Sequence, residues 1–206
     1  MKFLSEKKCI YLLLIHTLLS VIVTIISLPL TYPDNDNIIK ENIHFQAISF
    51  LITLFIYLNI SKINPELKIA SFLIIIKAFI SLCEIAVLNM LPLTSFFSLP
   101  LSDILEFITL SLSIPIYFYL YNGWAILVSQ KTKKIILTNK WKNLITPSIT
   151  LGVISILLHI NNLFGDPLIY PQIPEIPFVL LFGLMAFTVY LEILKTIYLF
   201  KTAKAL

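Results

Sequence analysis

Six apolar stretches constrain this chain more than any other feature. They run Cys9–Leu30, His44–Ile60, Lys68–Met90, Ile104–Val128, Leu144–Ile160 and Pro177–Leu199. A helix crosses the hydrocarbon core of a bilayer with about 20 apolar residues, and roughly 17 is the lower limit. The second and fifth stretches sit near that limit and the others exceed it. Turn formers separate them, among them Tyr32-Pro33-Asp34-Asn35-Asp36, Asn64-Pro65, Leu99-Pro100 and Gly165-Asp166-Pro167. The period-2 alternation of a membrane β-barrel strand is missing. Composition agrees with this reading. Hydrophobic residues make up 58% of the 206 and charged residues 13%, about half the ~25% of a soluble domain. Too few polar side chains remain to clothe a globule of this size. The expectation is an all-α integral membrane protein, a single transmembrane domain over 1–206 with six transmembrane helices in one bundle.

Charge placement orients the bundle. All 15 basic residues are lysines. With the N-terminus inside, twelve of them fall on inner segments: Lys2, Lys7, Lys8, Lys62, Lys68, Lys131, Lys133, Lys134, Lys140, Lys142, Lys201 and Lys204. Only Lys40 falls outside, while Asp34, Asp36, Glu41, Asp103, Asp166 and Glu175 line the outer side. Lysine-rich loops stay on the cytoplasmic side, so both termini are expected there, with a bacterial inner membrane as the default host. The first stretch is too long for a signal peptide's apolar core and no A-x-A-like site follows it. The missing arginine removes the usual bidentate reader of phosphates and bases, so nucleic acid is not expected as a partner.

Three helices plus three would make any duplication inverted. Ala78-Phe79 before Glu84-Ile85 and Ala186-Phe187 before Glu192-Ile193 share an offset of 108 residues, which suggests such a 3+3 inverted repeat. Cys9 and Cys83 read as unpaired thiols acting as apolar filler. Pro115, inside the fourth stretch, removes a backbone hydrogen bond and favours a kink, with Ser111 and Ser113 placed to satisfy freed carbonyls.

Ionisable groups within a bilayer cost about 2.5–3.5 kcal/mol each, so they carry the functional information. The candidates for substrate or ion binding are Lys77, Glu84, Glu106, His159 and Glu192, with His16, Lys195, His44 and Asp103 beside them. By helical rise, Lys77 and Glu192 lie ~13 and ~10 Å from the inner ends of the third and sixth stretches, close enough in depth to pair. Glu192 has an alternative partner in Lys195, three residues on along the same face. Glu84, Glu106, His159 and His44 fall in the outer half. They form either a site for a cation, proton or polar solute, or a hydrated rim. Trp124 and Trp141 read as interfacial anchors, and Tyr117 and Tyr121 share one helix face. The segment 129–143, with Lys131, Lys133, Lys134, Lys140 and Lys142, reads as a loop for anionic lipid or for a membrane-protein partner.

No catalytic motif is present: no HExxH, Cys/His cluster, GxSxG or Walker sequence. No catalytic residue, metal or cofactor is therefore expected, and the chain is not expected to be an enzyme. The leading functional reading is transport or binding of a small solute or ion, using buried charges of the third and sixth helices. One alternative is a non-catalytic accessory or assembly subunit of a membrane complex. The other is a membrane-embedded, lipid-modifying enzyme with Glu84, Glu106 and a histidine as acid–base groups.

Overall fold

The computed structural model describes residues 4–27, 36–90, 95–96, 99–164 and 178–206, and side chains over 4–19, 47–83, 101, 103–160 and 183–206. Seven helices occur among the described residues: α1 (Glu6–Ser27), α2 (Asp36–Ile60), α3 (Pro65–Met90), α4 (Leu101–Thr132), α5 (Ile135–Asn143), α6 (Ile145–Phe164) and α7 (Phe178–Ala205). Beside them stands one small antiparallel ladder, β1 (Ser95–Phe96) with β2 (Leu99–Pro100), pairing Ser95 with Pro100 and Phe96 with Leu99. The turns expected at 32–35 and 165–167 lie outside the described residues.

Six of the helices coincide with the six apolar stretches, and most extend beyond them. An apolar run marks only the part of a helix that lipid can touch, whereas the hydrogen-bond ladder continues into polar flanks. Thus α2 begins at Asp36, eight residues before its apolar run. The 32 residues of α4 span ~48 Å, well beyond a ~30 Å hydrocarbon core. The expected loop at 129–143 is corrected. Residues up to Thr132 complete α4, and 135–143 form the separate helix α5. Among the described residues, three segments are long and apolar enough to cross a membrane: Asp103–Thr132, Ile135–Ile160 and Gly183–Ala205.

Local chemistry explains the boundaries. Asn64 caps α3: its Oδ1 accepts from the Leu67 N–H at 2.8 Å, and Pro65 takes the first helical position. The same Asn64 donates through Nδ2 to the Gly123 carbonyl at 2.9 Å, tying this corner to α4. Between α4 and α5 the chain turns at Lys133, whose φ of 54° lies in the left-handed region. A side chain with a Cβ is strained there by about 1–2 kcal/mol. Meanwhile α4 runs unbroken through Pro115. Ser113 Oγ donates back to the Thr109 carbonyl at 3.1 Å, not to the residue-111 carbonyl that the proline leaves without its N–H partner.

Helix α4 is the hub, packed against α3, α5 and α6, while α2 lies on α3 and α1 bridges α2 and α7. Several contacts gather helix ends at one end of the bundle. The Leu4 N–H reaches Asn59 Oδ1 at 3.5 Å, Lys131 pairs with Glu6 at 3.3 Å, and Trp141 Nε1–H donates to Thr202 Oγ1 at 3.0 Å. Both ends of the described chain therefore lie at this end. The core is densest here, around Ile10, Ile60, Leu67, Trp124, Trp141 and Leu199. Trp124 and Trp141 are almost fully buried and stack with centroids 6.0 Å apart. That corrects their reading as interfacial anchors, because the edge of α5 covers what a bare helix end would have left to the headgroups. Away from this core the helices turn large apolar side chains outward, among them Leu51, Phe55, Phe72, Phe79 and Leu157, an arrangement uncommon on a soluble monomer.

Candidate functional site

Polar side chains from six helices converge inside the bundle, those of α2 and α4 on stripes of period four. On α4 the stripe is Thr109, Ser113, Tyr117 and Tyr121; on α2 it is Thr53 and Tyr57; on α7 Glu192 and Lys195 lie one turn apart. Residues four apart share a helix face, so each stripe points one way from an otherwise apolar helix. Thr53 Oγ1 lies 3.4 Å from His16 Nε2 of α1. Lys77 of α3 donates to Ser113 Oγ at 2.5 Å. Tyr117 stacks on Tyr121, centroids 6.0 Å apart and nearly parallel, and Ser148 Oγ of α6 donates to the Tyr121 hydroxyl at 3.4 Å.

Lys195 is the centre of this arrangement. Its ammonium forms an ion pair with Glu192 one turn back. It also acts electrostatically on His16, Tyr57, Lys77 and Tyr117, which come from four other helices. The pair keeps some access to the exterior, with side chains 20% and 32% exposed. Glu192→Gln would leave the largely enclosed Lys195 ammonium without its counter-charge. Breaking a buried pair costs about 3–5 kcal/mol and an exposed one under ~1. For this half-open pair a loss of about 1–2 kcal/mol is expected in thermal unfolding, with most of it recovered in Glu192→Gln/Lys195→Met. A double variant no better than the single one would show that the pair is not the cause.

The expected Lys77–Glu192 bridge is not formed. Matching depth supplied the right level but not the right neighbour: α3 packs on α2 and α4, so Lys77 meets Ser113, and Glu192 takes the nearer Lys195. Among the described residues no carboxylate pairs with Lys77. Glu106 and His159 do come together at the other end of the bundle. His159 Nδ1 lies 3.5 Å from Glu106 Oε2, and its Nε2 lies 3.1 Å from the Asp103 carbonyl. Phe107 stacks on the imidazole at 6.4 Å. The histidine is 9% exposed and the glutamate 50%, so a buried ring is held by a carboxylate at the rim. Glu84 lies on α3, but its side chain and that of His44 lie outside the described residues. An acid–base triad of Glu84, Glu106 and histidine therefore has one described pair. Cys9 and Cys83 are free thiols, Cys9 buried. No group of three or more metal-ligating side chains occurs among the described residues.

Sequence reasoning named Lys77, Glu192 and Lys195 but passed over Thr53, Tyr57 and the hydroxyl stripe of α4 as one surface. The period-four spacing was available. It was obscured because each hydroxyl residue alone is ordinary in a membrane helix.

These features define a class: an all-helical protein with three segments long and apolar enough to cross a membrane, and a charged interior. Compared with protein-family models, with curated proteins and with solved structures, the chain matches none.

Proposed function

We propose that the chain is a six-pass membrane protein, both termini on the lysine-rich cytoplasmic side of a bacterial inner membrane, that binds a small anionic solute in its interior as a step in transport. The lysine asymmetry supports the orientation, and the shared offset of 108 residues supports a 3+3 inverted repeat. The observation that carries the function is the excess of interior positive charge. Lys195 acts electrostatically on Lys77, and among the described residues the carboxylate of Glu192 is paired with Lys195 and none with Lys77. Two ammoniums in a low-dielectric interior repel, and an anion held between them removes the repulsion. Tyr57, Tyr117 and Ser113 supply hydroxyls around that space. Solute sites in transport folds lie between helices near the midplane, and the depth of Lys77 along α3 supports that level for this one.

The test is thermal unfolding of the detergent-purified protein with inorganic phosphate, sulfate, succinate and glutamate, against sodium, potassium and choline as cation controls. At least one anion is expected to raise the midpoint; saturation to 100 Kd corresponds to about 2.7 kcal/mol. Lys77→Met and Lys195→Met are expected to abolish that shift. Lys77→Met without ligand is expected to be as stable as the parent or more so, because it removes the repulsion. Stabilisation by cations alone overturns the reading. So does a silent panel joined to a co-purifying membrane protein cross-linked through residues 183–190, the largely exposed part of α7, which would favour an accessory subunit.

A further inference from the structure

We propose that the groove between α5 and the last turns of α7 is a binding site for one anionic phospholipid of the inner leaflet, its phosphate held by lysines and its acyl chain laid on the first turn of α5. The groove encloses about 660 Å³. Lys133 and Lys134 reach it from the α4–α5 turn, Lys140 from α5, and Lys201 and Lys204 from α7. No acidic residue lines it. Lys131, in the last turn of α4, is paired with Glu6 and stays out of the groove. The charge is therefore concentrated here instead of being shared by every lysine at this end of the bundle.

The apolar half of the groove is as specific as the charged half. Ile135 and Ile136 line it and are the two most exposed large apolar side chains among the described residues, at 74% and 75%. The rest of α5 is spent on packing: Trp141 is 0% exposed, and Leu137, at 7%, forms the buried edge of the groove. A nine-residue helix with one face locked in the core and two isoleucines presented beside five lysines fits an amphiphile with a negative head. A soluble anion would leave the isoleucines in water, and a neutral lipid would leave the lysines without a counter-charge.

Two further observations show a formed site. The groove is rigidly framed, because Trp141 Nε1–H donates to Thr202 Oγ1 across α5 and α7 at 3.0 Å. Two of the lysines are held in place without being neutralised. Lys204 lies 4.5 Å from the centre of the Phe200 ring and Lys140 6.0 Å from that of Tyr198. Lys133 sits in a left-handed conformation that glycine or asparagine would adopt more easily, and it lines the groove. The site is separate from the interior space around Lys195, and its test does not depend on the anion reading of that space.

The experiment is native mass spectrometry of the full chain in detergent, titrated with dioleoyl phosphatidylglycerol, dioleoyl phosphatidylcholine or inorganic phosphate. One phosphatidylglycerol is expected to bind ahead of all others. In Lys134→Gln/Lys201→Gln/Lys204→Gln its affinity is expected to fall on the order of a hundredfold. Removing the same charge elsewhere, in Lys7→Gln/Lys8→Gln/Lys142→Gln, is expected to leave that first lipid in place. Ile135→Ser/Ile136→Ser is expected to weaken phosphatidylglycerol while leaving phosphate unchanged. Tryptophan emission from the buried Trp124–Trp141 pair confirms that each variant is folded. Equal binding of phosphatidylcholine, equal loss in the control triple variant, or phosphate matching the lipid would each overturn the proposal.

Discussion

Trp141→Ala is expected to lower the unfolding free energy by about 3–5 kcal/mol, the range for removing a fully buried tryptophan. Trp141 is 0% exposed. Its ring meets Trp124 at 6.0 Å, Tyr121 at 5.9 Å and Tyr198 at 5.8 Å, and its Nε1–H donates to the buried Thr202 hydroxyl. That one side chain joins α4, α5 and α7. Otherwise α5 is fixed by Leu137 alone among its buried residues, so it should detach when the indole is lost. Trp141→Phe separates the two contributions. It keeps an aromatic ring in place but loses the hydrogen bond and part of the buried ring volume, so about 2 kcal/mol is expected. Thermal unfolding in detergent reads the difference, and the Trp124 emission, then the sole tryptophan signal, should shift to the red in the alanine variant. An alanine variant no less stable than the phenylalanine one would show that α5 is not held by this ring. Loss of α5 should also abolish preferred phosphatidylglycerol binding although every lysine of the groove remains.

That helix marks where sequence reading succeeded and where it stopped. The six long helices were legible because a bilayer-length apolar run has few alternatives: inside lipid, backbone groups must bond within their own helix. The gathering of both chain ends with the lysine-bearing segments was legible for the same reason, since an even number of alternating helices returns the chain to its starting end. In contrast, α5 is nine residues long and lysine-rich, and composition marks it as a loop. Leu137 and Trp141, four apart and therefore on one face, were its only helical signal. Depth along a helix can be counted in residues, which is how Lys77 and Glu192 came to the same level. Rotation about the axis and the choice of neighbour follow from packing. Here α3 meets α4 closely and so delivers Lys77 to Ser113 instead of to α7. Glu106 and His159 met because α4 and α6, the helices that carry them, pack together.

The packing of α3 on α4 turns on Gly123, and Gly123→Ala is the sharpest test of it. Two effects of opposite sign compete. An exposed helical glycine gains about 1 kcal/mol on becoming alanine, through chain entropy. At this position a Cβ would stand 2.6 Å from Leu67 Cγ, 2.9 Å from its Cδ2 and 3.0 Å from its backbone nitrogen. The side chain cannot retreat, because Leu67 is 0% exposed. The backbone cannot retreat either without breaking the Asn64 cap, whose Oδ1 holds the Leu67 N–H and whose Nδ2 holds the Gly123 carbonyl. Overpacking a filled interior costs about 1–3 kcal/mol, and here it also strains those two hydrogen bonds at about 1 kcal/mol each. The steric term wins, and a net loss of about 2–3 kcal/mol is expected. Leu67→Ala alone should also destabilise, by leaving a cavity. Combined with Gly123→Ala it should lose less than the sum of the two, because the added methyl group occupies part of the space the leucine vacates. A strictly additive pair, or a stabilising Gly123→Ala, would place the α3–α4 contact elsewhere. Because small residues are what let membrane helices approach closely, and Gly123 lies six residues beyond Tyr117 on the same helix, α4, the same variant should push α3 outward and carry Lys77 away from Ser113. The anion-induced rise in melting temperature should then weaken together with the fold, whereas Lys77→Met should remove that rise and leave the fold intact.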